Sequence, residues 1–219
     1  LELTEAAEAA NQDDSVRVVV LTGRGKAFSS GSERVPIRSR QELLASQAAV
    51  SIARIEKPVI AAVNGDAIGQ GLELALAADL RIAARGALFG LPHLREGGIP
   101  WDGGTQRLPR LIGTGRALEL LLTGISIDAN EAQRIGLVGR SVEPEDLEAV
   151  VDEIADRIAR AAPIAARYAK EAVAKGMDAT LDQGMRLEAD LSILLHTTRD
   201  RAEGLRSFLE RCSPRFRGR

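Results

Sequence analysis

Cysteine and aromatic residues are scarce in this chain of 219 residues. Cys212 is the only cysteine, which excludes an intrachain disulfide and is typical of a reducing compartment, so we expect a cytoplasmic protein. No stretch approaches the roughly 18–20 apolar residues of a membrane span, and no signal peptide is recognisable. With one cysteine and two distant histidines, the sequence has no ligand spacing typical of zinc, and we expect no metal site. A net charge of −2 gives no reason to expect nucleic acid as a partner.

The order of apolar patterns predicts an α/β protein that forms a single structural domain. Hydrophobic residues make up 45% and charged residues 27% of the chain, as in ordinary globular proteins. Strands alternate with helices over residues 1–140, and helices alone follow over 141–219. We predict strands at 16–22, 59–63 and 80–84, a loop at 97–105, and helices at 1–11, 41–55, 70–78, 115–122, 129–135, 145–161, 163–175, 181–196 and 199–211.

One carboxylate, Glu73, stands out because it lies inside an apolar segment. The preceding residues 59–63 read as a buried strand, and a glycine-flanked turn at 68–71 leads into a helix that begins near Gln70. Burying a carboxylate without a partner costs several kcal/mol or raises its pKa. A helix start with a carboxylate close behind it can stabilise an oxyanion while a proton moves. The alternative is a structural carboxylate bonded to backbone N–H groups.

Four separate motifs together resemble the enoyl-CoA hydratase/isomerase family, the crotonases. They are KPVIAAVNG with GQGLEL and AAD (57–79), LTGRGKAFSSGSE (21–33), GIPWDGGTQRLPRLIGTGRALELLLTG (98–124) and RAEGLRSFLERCSPRFRGR (201–219). The resemblance implies a crotonase-like ββα spiral core with a C-terminal helical extension, assembled as a homotrimer or a dimer of trimers. Family members usually begin with strands upstream of the first helix here, so we expect those N-terminal strands to be missing from this sequence.

The resemblance also assigns binding residues. It places the two backbone N–H groups of the oxyanion hole on Ser32 and Gln70. Because the family usually has glycine in place of Gln70, its side chain either narrows the acyl pocket or points away from it. The residues implied in binding substrate or coenzyme A are Lys26, Ala27, Phe28, Ser30, Ser32, Gly71 and Trp101, with Arg211, Arg215 and Arg217 as further candidates. Trp101 is alternatively an ordinary core residue, and an arginine-rich tail is alternatively a solvated end.

The acid–base residues are where the chain departs from its family. Glu73 matches the first of two acidic residues that family hydratases use. The second is expected in an FGxPE-like run, but here the run ends in His93, which is either a general acid or base or a loop residue. Asp102 lies within a residue of the second acid of some other members, and is alternatively a turn former. Asp79 matches an acidic residue that we interpret as structural.

The resulting hypothesis is an acyl-CoA enzyme of lipid metabolism that works through a stabilised thioester enolate. A 2-enoyl-CoA hydratase is the leading prediction. Enoyl-CoA or dienoyl-CoA isomerases and acyl-CoA hydrolases of the same family remain open, as does a non-catalytic homologue that only binds acyl-CoA. Coenzyme A would arrive as part of the substrate, and no other cofactor is expected.

Overall fold

The computed structural model describes residues 2–31 and 38–219. Its contacts divide the chain into two compact units. The first comprises residues 1–8, 20–55 and 59–152, and the second comprises 9–19, 56–58 and 153–219. The division of the chain at residue 140, within one domain, stays a prediction.

The first unit is built on two small sheets. The strands are β1 (Val19–Thr22), β2 (Val59–Val63), β3 (Ala67–Ile68), β4 (Leu80–Ala84), β5 (Leu88–Gly90), β6 (Ser126–Asp128) and β7 (Arg140–Val142). One sheet has the order β1-β2-β4-β7, in which β4 runs parallel to both β2 and β7. The other has the order β3-β5-β6, with β3 and β5 parallel and β5 and β6 antiparallel.

The buried strand predicted at 59–63 is confirmed. Every residue of β2 is buried, and Ile60 pairs with Leu80 on β4. A continuous apolar run is what a parallel strand covered on both faces requires. The strand predicted at 16–22 is confirmed only in part. It begins only at Val19, and Val20 is 42% exposed, because β1 lies at the edge of its sheet.

The remaining elements of the first unit are mainly helices. They are α1 (Glu2–Gln12), which continues into the second unit, α2 (Arg40–Ala45), α3 (Ala48–Ala53), α4 (Gln70–Ala77), α5 (Gly104–Ile112), α6 (Thr114–Thr123), α7 (Ala129–Arg134) and the start of α8 (Leu147–Ala159). Phe89, Leu72 and Leu108 are among the largest fully buried side chains. The single helix predicted at 41–55 is two helices, α2 and α3, because the helical conformation is interrupted at Ser46 and Gln47.

The second unit is helical, as predicted for this part of the chain. After α8, a short connection at 160–162 leads to α9 (Pro163–Gly176), which is followed by α10 (Leu181–His196) and α11 (Arg199–Glu210). A capping box between Thr180 and Gln183 starts α10, and α9 packs against α10. In the described ranges, none of the helices combines the length and the apolar character needed to cross a membrane.

Candidate active site

The turn between β3 and α4 is shaped by two glycines. Gly69 is the N-cap residue of α4 and has a φ of 58°. A Cβ on Gly71 would lie 2.1 Å from the carbonyl oxygen of Ser29, so only glycine lets the two segments approach this closely. The helix therefore begins at Gln70, as the sequence predicts. Among the described residues, no acceptor is bonded to the Gln70 N–H, which is left free at the helix start.

Glu73 lies one turn into α4 and is fully buried. Its Oε1 accepts hydrogen bonds from the backbone N–H groups of Asp102 at 2.8 Å and Gly104 at 2.7 Å. Its Oε2 has no partner among the described residues. Burial raises the pKa of Glu73, and the two N–H donors only partly oppose this. One oxygen is thus anchored while the other remains available to a bound molecule.

His93 faces that available oxygen. It lies in the short 3₁₀ helix Pro92–Glu96, is 7% exposed, and places Nε2 4.0 Å from Glu73 Oε2. The same edge of the imidazole would be 3.8 Å from a Cβ on Gly69, so the ring lies beside the start of α4. Burial lowers the pKa of His93, and the charge of Glu96 opposes this. Burial therefore favours the neutral form of both the His93 imidazole and the Glu73 carboxyl group, relative to the same groups in water.

Asp102 and Trp101 come from the loop before α5. The Asp102 carboxylate is fully buried, and Oδ2 accepts from Ala49 N at 2.8 Å and Gln70 Nε2 at 2.9 Å. Gln70 Nε2 also donates to the Ser46 carbonyl at 2.7 Å, so this amide is directed toward Asp102 and Ser46. The Trp101 ring meets the His93 ring edge-on at a centroid distance of 5.3 Å.

Unsatisfied polar atoms are concentrated here. Within residues 2–31 and 38–219, the buried side-chain atoms without a hydrogen-bond partner are Glu73 Oε2, His93 Nδ1, Trp101 Nε1 and Asp102 Oδ1. Proteins normally satisfy buried polar groups, because each orphan costs about 1–3 kcal/mol. Four orphans on neighbouring residues indicate a place where a bound molecule supplies the missing partners.

The loop that precedes the undescribed segment runs beside this turn. Ser29 N–H donates to Asp66 O, and Ile68 N–H donates to Ser29 O, both at 3.0 Å. This pairing brings the loop at 26–31 alongside β3. Phe28 is buried, Ala27 is half-buried, and Lys26 and Ser30 are exposed. Ser32 lies outside the described residues, so the convergence of its N–H with that of Gln70 stays a prediction.

Several residues that position the site were not identified from the sequence. Gly104 supplies one of the N–H groups that hold Glu73, and a Cβ there would lie 3.1 Å from Glu73 Oε1. Arg107 donates to the Asp102 carbonyl at 2.9 Å, and Gln47 Nε2 donates to the Trp101 carbonyl at 2.6 Å. The sequence signal for Gly104 was the Gly103-Gly104 pair itself. Asp79 is structural as predicted, since its carboxylate accepts from Val59 N at 2.7 Å.

Comparisons with known proteins show the family of the chain. A profile of the enoyl-CoA hydratase/isomerase family matches residues 1–219. The chain is 44% identical to crotonyl-CoA hydratase of Syntrophomonas wolfei, over 99% of this chain and 86% of that protein. It is 41% identical to (E)-benzylidenesuccinyl-CoA hydratase of Thauera aromatica, over 99% of this chain and 88% of that protein.

Solved structures of the same family have the same fold. The crystal structure of an enoyl-CoA hydratase from Bacillus anthracis superimposes with a TM-score of 0.95 at 42% identity, covering 100% of this chain and 88% of that one. The predicted crotonase-like fold is thereby confirmed. The chain is an enzyme that belongs to the enoyl-CoA hydratase/isomerase family.

Proposed function

We propose that this enzyme adds water across the Cα=Cβ bond of a 2-enoyl-CoA thioester. The observation that carries the proposal is the group of four unsatisfied buried atoms around Glu73 and His93. Water addition needs one group to take a proton and another to give one. The similarity to proteins named crotonyl-CoA hydratase and (E)-benzylidenesuccinyl-CoA hydratase supports the same reaction class.

The free N–H of Gln70 suits the thioester oxygen. When water adds at Cβ, negative charge develops on that oxygen, and the N-terminus of α4 favours such charge. The proposed second donor is the backbone N–H of Ser32. Losing one donor of this kind typically raises the barrier by about 2.7–4 kcal/mol.

The pKa directions support one assignment of the proton transfers. His93, whose pKa is lowered, is the base, and Glu73, whose pKa is raised, is the acid. His93 Nε2 takes a proton from water as the water oxygen bonds to Cβ, and the π electrons pass into the enolate. Glu73 Oε2 then gives its proton to Cα. The proton returns from His93 to Glu73 across their 4.0 Å separation, which restores the starting state.

Asp102 has a positioning role in this proposal. Asp102 Oδ2 accepts a hydrogen bond from Gln70 Nε2 and so fixes the direction of that amide. The backbone N–H of Asp102 donates to Glu73 Oε1 and fixes that carboxyl group. The unpartnered Oδ1 of Asp102 is the second candidate for the base. If Asp102→Asn abolishes turnover while His93→Gln does not, the base is Asp102. The opposite result assigns it to His93.

Crotonyl-CoA is the substrate for the first test, followed by loss of absorbance of the conjugated thioester. We expect turnover by the wild type and a loss of about 10²–10⁴-fold in Glu73→Gln, because an amide keeps the anchoring oxygen but cannot donate an acidic proton. The exposed Glu119, paired with Arg116, gives the matched control Glu119→Gln. Thermal stabilisation by coenzyme A without any turnover would favour a non-catalytic binder instead.

A proton shuttle by Glu73 alone favours a second candidate, an enoyl-CoA isomerase. One oxygen of Glu73 is fixed and the other is free, which is sufficient to move a proton between two carbons of one substrate. A 3-enoyl-CoA substrate separates the two functions. If the enzyme is an isomerase, His93→Gln would still convert the 3-enoyl-CoA. If the enzyme is a hydratase with His93 as its base, the same variant would lose the ability to hydrate crotonyl-CoA.

The remaining proposals concern assembly and cofactors. We propose a homotrimer or a dimer of trimers, since large apolar side chains of the second unit are strongly exposed, with Leu181 and Phe208 at 82% and Leu209 at 79%. Light scattering after size-exclusion chromatography tests this assembly. Water addition balances in atoms and electrons without a redox group, so coenzyme A enters only with the substrate. A cytoplasmic location stays a prediction.

A further inference from the structure

Five of the eleven residues that line one cavity of the second unit are cationic. This cavity has a volume of about 270 Å³. Its charged lining residues are Arg17, Lys57, Arg167, Arg217, Arg219 and Asp14. Five cationic residues and one acidic residue therefore line the cavity, in a chain whose net charge is −2. Such an excess of one sign needs an explanation.

The arginine-rich tail is fixed at this cavity. The Asp200 carboxylate, which is buried, accepts from the backbone N–H groups of Arg217 at 2.8 Å and Gly218 at 2.7 Å. The Asp200 N–H in turn donates to the Arg219 carbonyl at 3.2 Å. Gly218 has a φ of 74°, a conformation that favours glycine. The two arginines on either side of Gly218 are thus carried by an ordered loop.

Arg17, from a distant segment of the chain, also binds the backbone of this C-terminal loop. Its Nη2 donates to the Phe216 carbonyl at 2.8 Å, and its Nη1 donates to the Ala159 carbonyl at 3.2 Å. Both acceptors are neutral, so the hydrogen bonds position the guanidinium without cancelling its charge. These bonds fix the backbone of the tail, while the side chains of Arg217 and Arg219 are exposed, as expected of a solvated end.

Lys57 differs from the arginines of the cavity because it is buried, with only 6% of the residue exposed. Its ammonium donates to the backbone carbonyl of Asp13, while the Asp13 carboxylate is bonded to Ser15 N and Oγ. In the part of the chain that the structure describes, no carboxylate forms a salt bridge with Lys57 or Arg17. Arg167 forms a salt bridge with Glu56. The Asp13 carboxylate attracts the Lys57 ammonium electrostatically without forming a salt bridge, so it is a partial counter-charge, and an anion in the cavity would add to it.

We propose that this cavity binds a phosphate-bearing anion. Guanidinium groups match phosphate oxygens in pairs, and several cations arranged around one space suit a multiply charged group better than a single carboxylate. The first turn of α9 adds to this, because Pro163 and Ile164 line the cavity and that turn contains no acidic residue. The phosphate belongs either to a free phosphate compound or to coenzyme A.

Titration calorimetry with pyrophosphate at low ionic strength tests the proposal on the full chain. We expect one saturable site per chain and an affinity at least about tenfold weaker in Arg217→Ala/Arg219→Ala, since charged hydrogen bonds are lost. Arg157→Ala/Arg186→Ala is the matched control, because both arginines are exposed and paired along their own helices. Its affinity should stay within about twofold of the wild type. Because the removed side chains are exposed, folding should persist, and circular dichroism checks it.

Competition identifies the source of the phosphate. Displacement of pyrophosphate by coenzyme A assigns the site to the phosphates of that molecule, and lack of displacement assigns it to a separate phosphate compound. Absence of saturable binding, or equal binding by the wild type and Arg217→Ala/Arg219→Ala, would overturn the proposal. So would equal weakening in the control. The proposal does not rest on the hydratase reaction, whose failure would appear separately in the crotonyl-CoA assay.

Discussion

Replacing Gly104 with alanine moves Glu73 without removing any group of the site. The Gly104 N–H that binds Glu73 Oε1 is retained, but the new Cβ would lie 3.1 Å from that oxygen and 3.3 Å from Glu73 Cγ. It would also lie 2.9 Å from Pro100 Cβ. These distances are shorter than ordinary contacts, so the Glu73 side chain has to shift by some tenths of an ångström.

The expected effect on activity is larger than the effect on stability. Alanine within a helix is favoured over glycine by about 0.5–1 kcal/mol, whereas overpacking costs about 1–3 kcal/mol. The free energy of unfolding should therefore fall by no more than about 2.5 kcal/mol. A displacement of 1 Å can cost about 10²-fold in rate, so we expect kcat for crotonyl-CoA to fall by about 10–100-fold.

Gly115→Ala is the matched control for this variant. Gly115 also lies in the first turn of a helix, α6, but nothing is within 4 Å of the Cβ position. We expect the control to raise the free energy of unfolding by about 0.5–1 kcal/mol and to leave kcat unchanged. Steady-state assays and thermal unfolding of both variants are the measurements. A Gly104→Ala enzyme with wild-type kcat would refute the argument that the anchoring of Glu73 matters.

Three further predictions follow from the same contacts. The pH dependence of kcat/KM should be bell-shaped, because the active Glu73–His93 pair carries one proton. Activity should fall in acid as His93 gains a proton, and because the pKa of His93 is lowered, this limb lies below pH 6.5. Activity should fall in alkali as Glu73 loses its proton, and because the pKa of Glu73 is raised, this limb lies above pH 4.5. An acid limb that is unchanged in His93→Gln would contradict this assignment. Gly71→Ala should lower the thermal unfolding midpoint, since its Cβ would lie 2.1 Å from Ser29 O, whereas Gly86→Ala, with nothing within 4 Å, should not. Gln70→Ala should cost about 1–3 kcal/mol of stability in chemical denaturation, since Asp102 Oδ2 loses a donor; no change would show that this bond is unimportant.

The sequence was most informative where the pattern is local. The apolar run of β2, the glycine-flanked turn and the start of α4 at Gln70 all follow from neighbouring residues, and the structure has them in place. The three long helices of the second unit were predicted to within a residue or two at their ends, because their caps and apolar spacing lie within the helices themselves.

Other features depend on partners distant in sequence. The direction of the Gln70 amide is set by Ser46 and Asp102, and no local pattern reveals those bonds. The break between α2 and α3 lies where Gln47 reaches the Trp101 carbonyl. Helix α5 was missed because it begins with glycine and contains Pro109, two features that normally indicate a loop.

A crystal structure of the Glu73→Gln enzyme with crotonyl-CoA is the most direct test of the central claim. We expect the thioester oxygen about 2.7–3.1 Å from the Gln70 N–H nitrogen, with Cα beside the substituted side chain and Cβ toward His93. A thioester oxygen bound away from Gln70, or an acyl chain that does not pass between residue 73 and His93, would contradict the proposed mechanism.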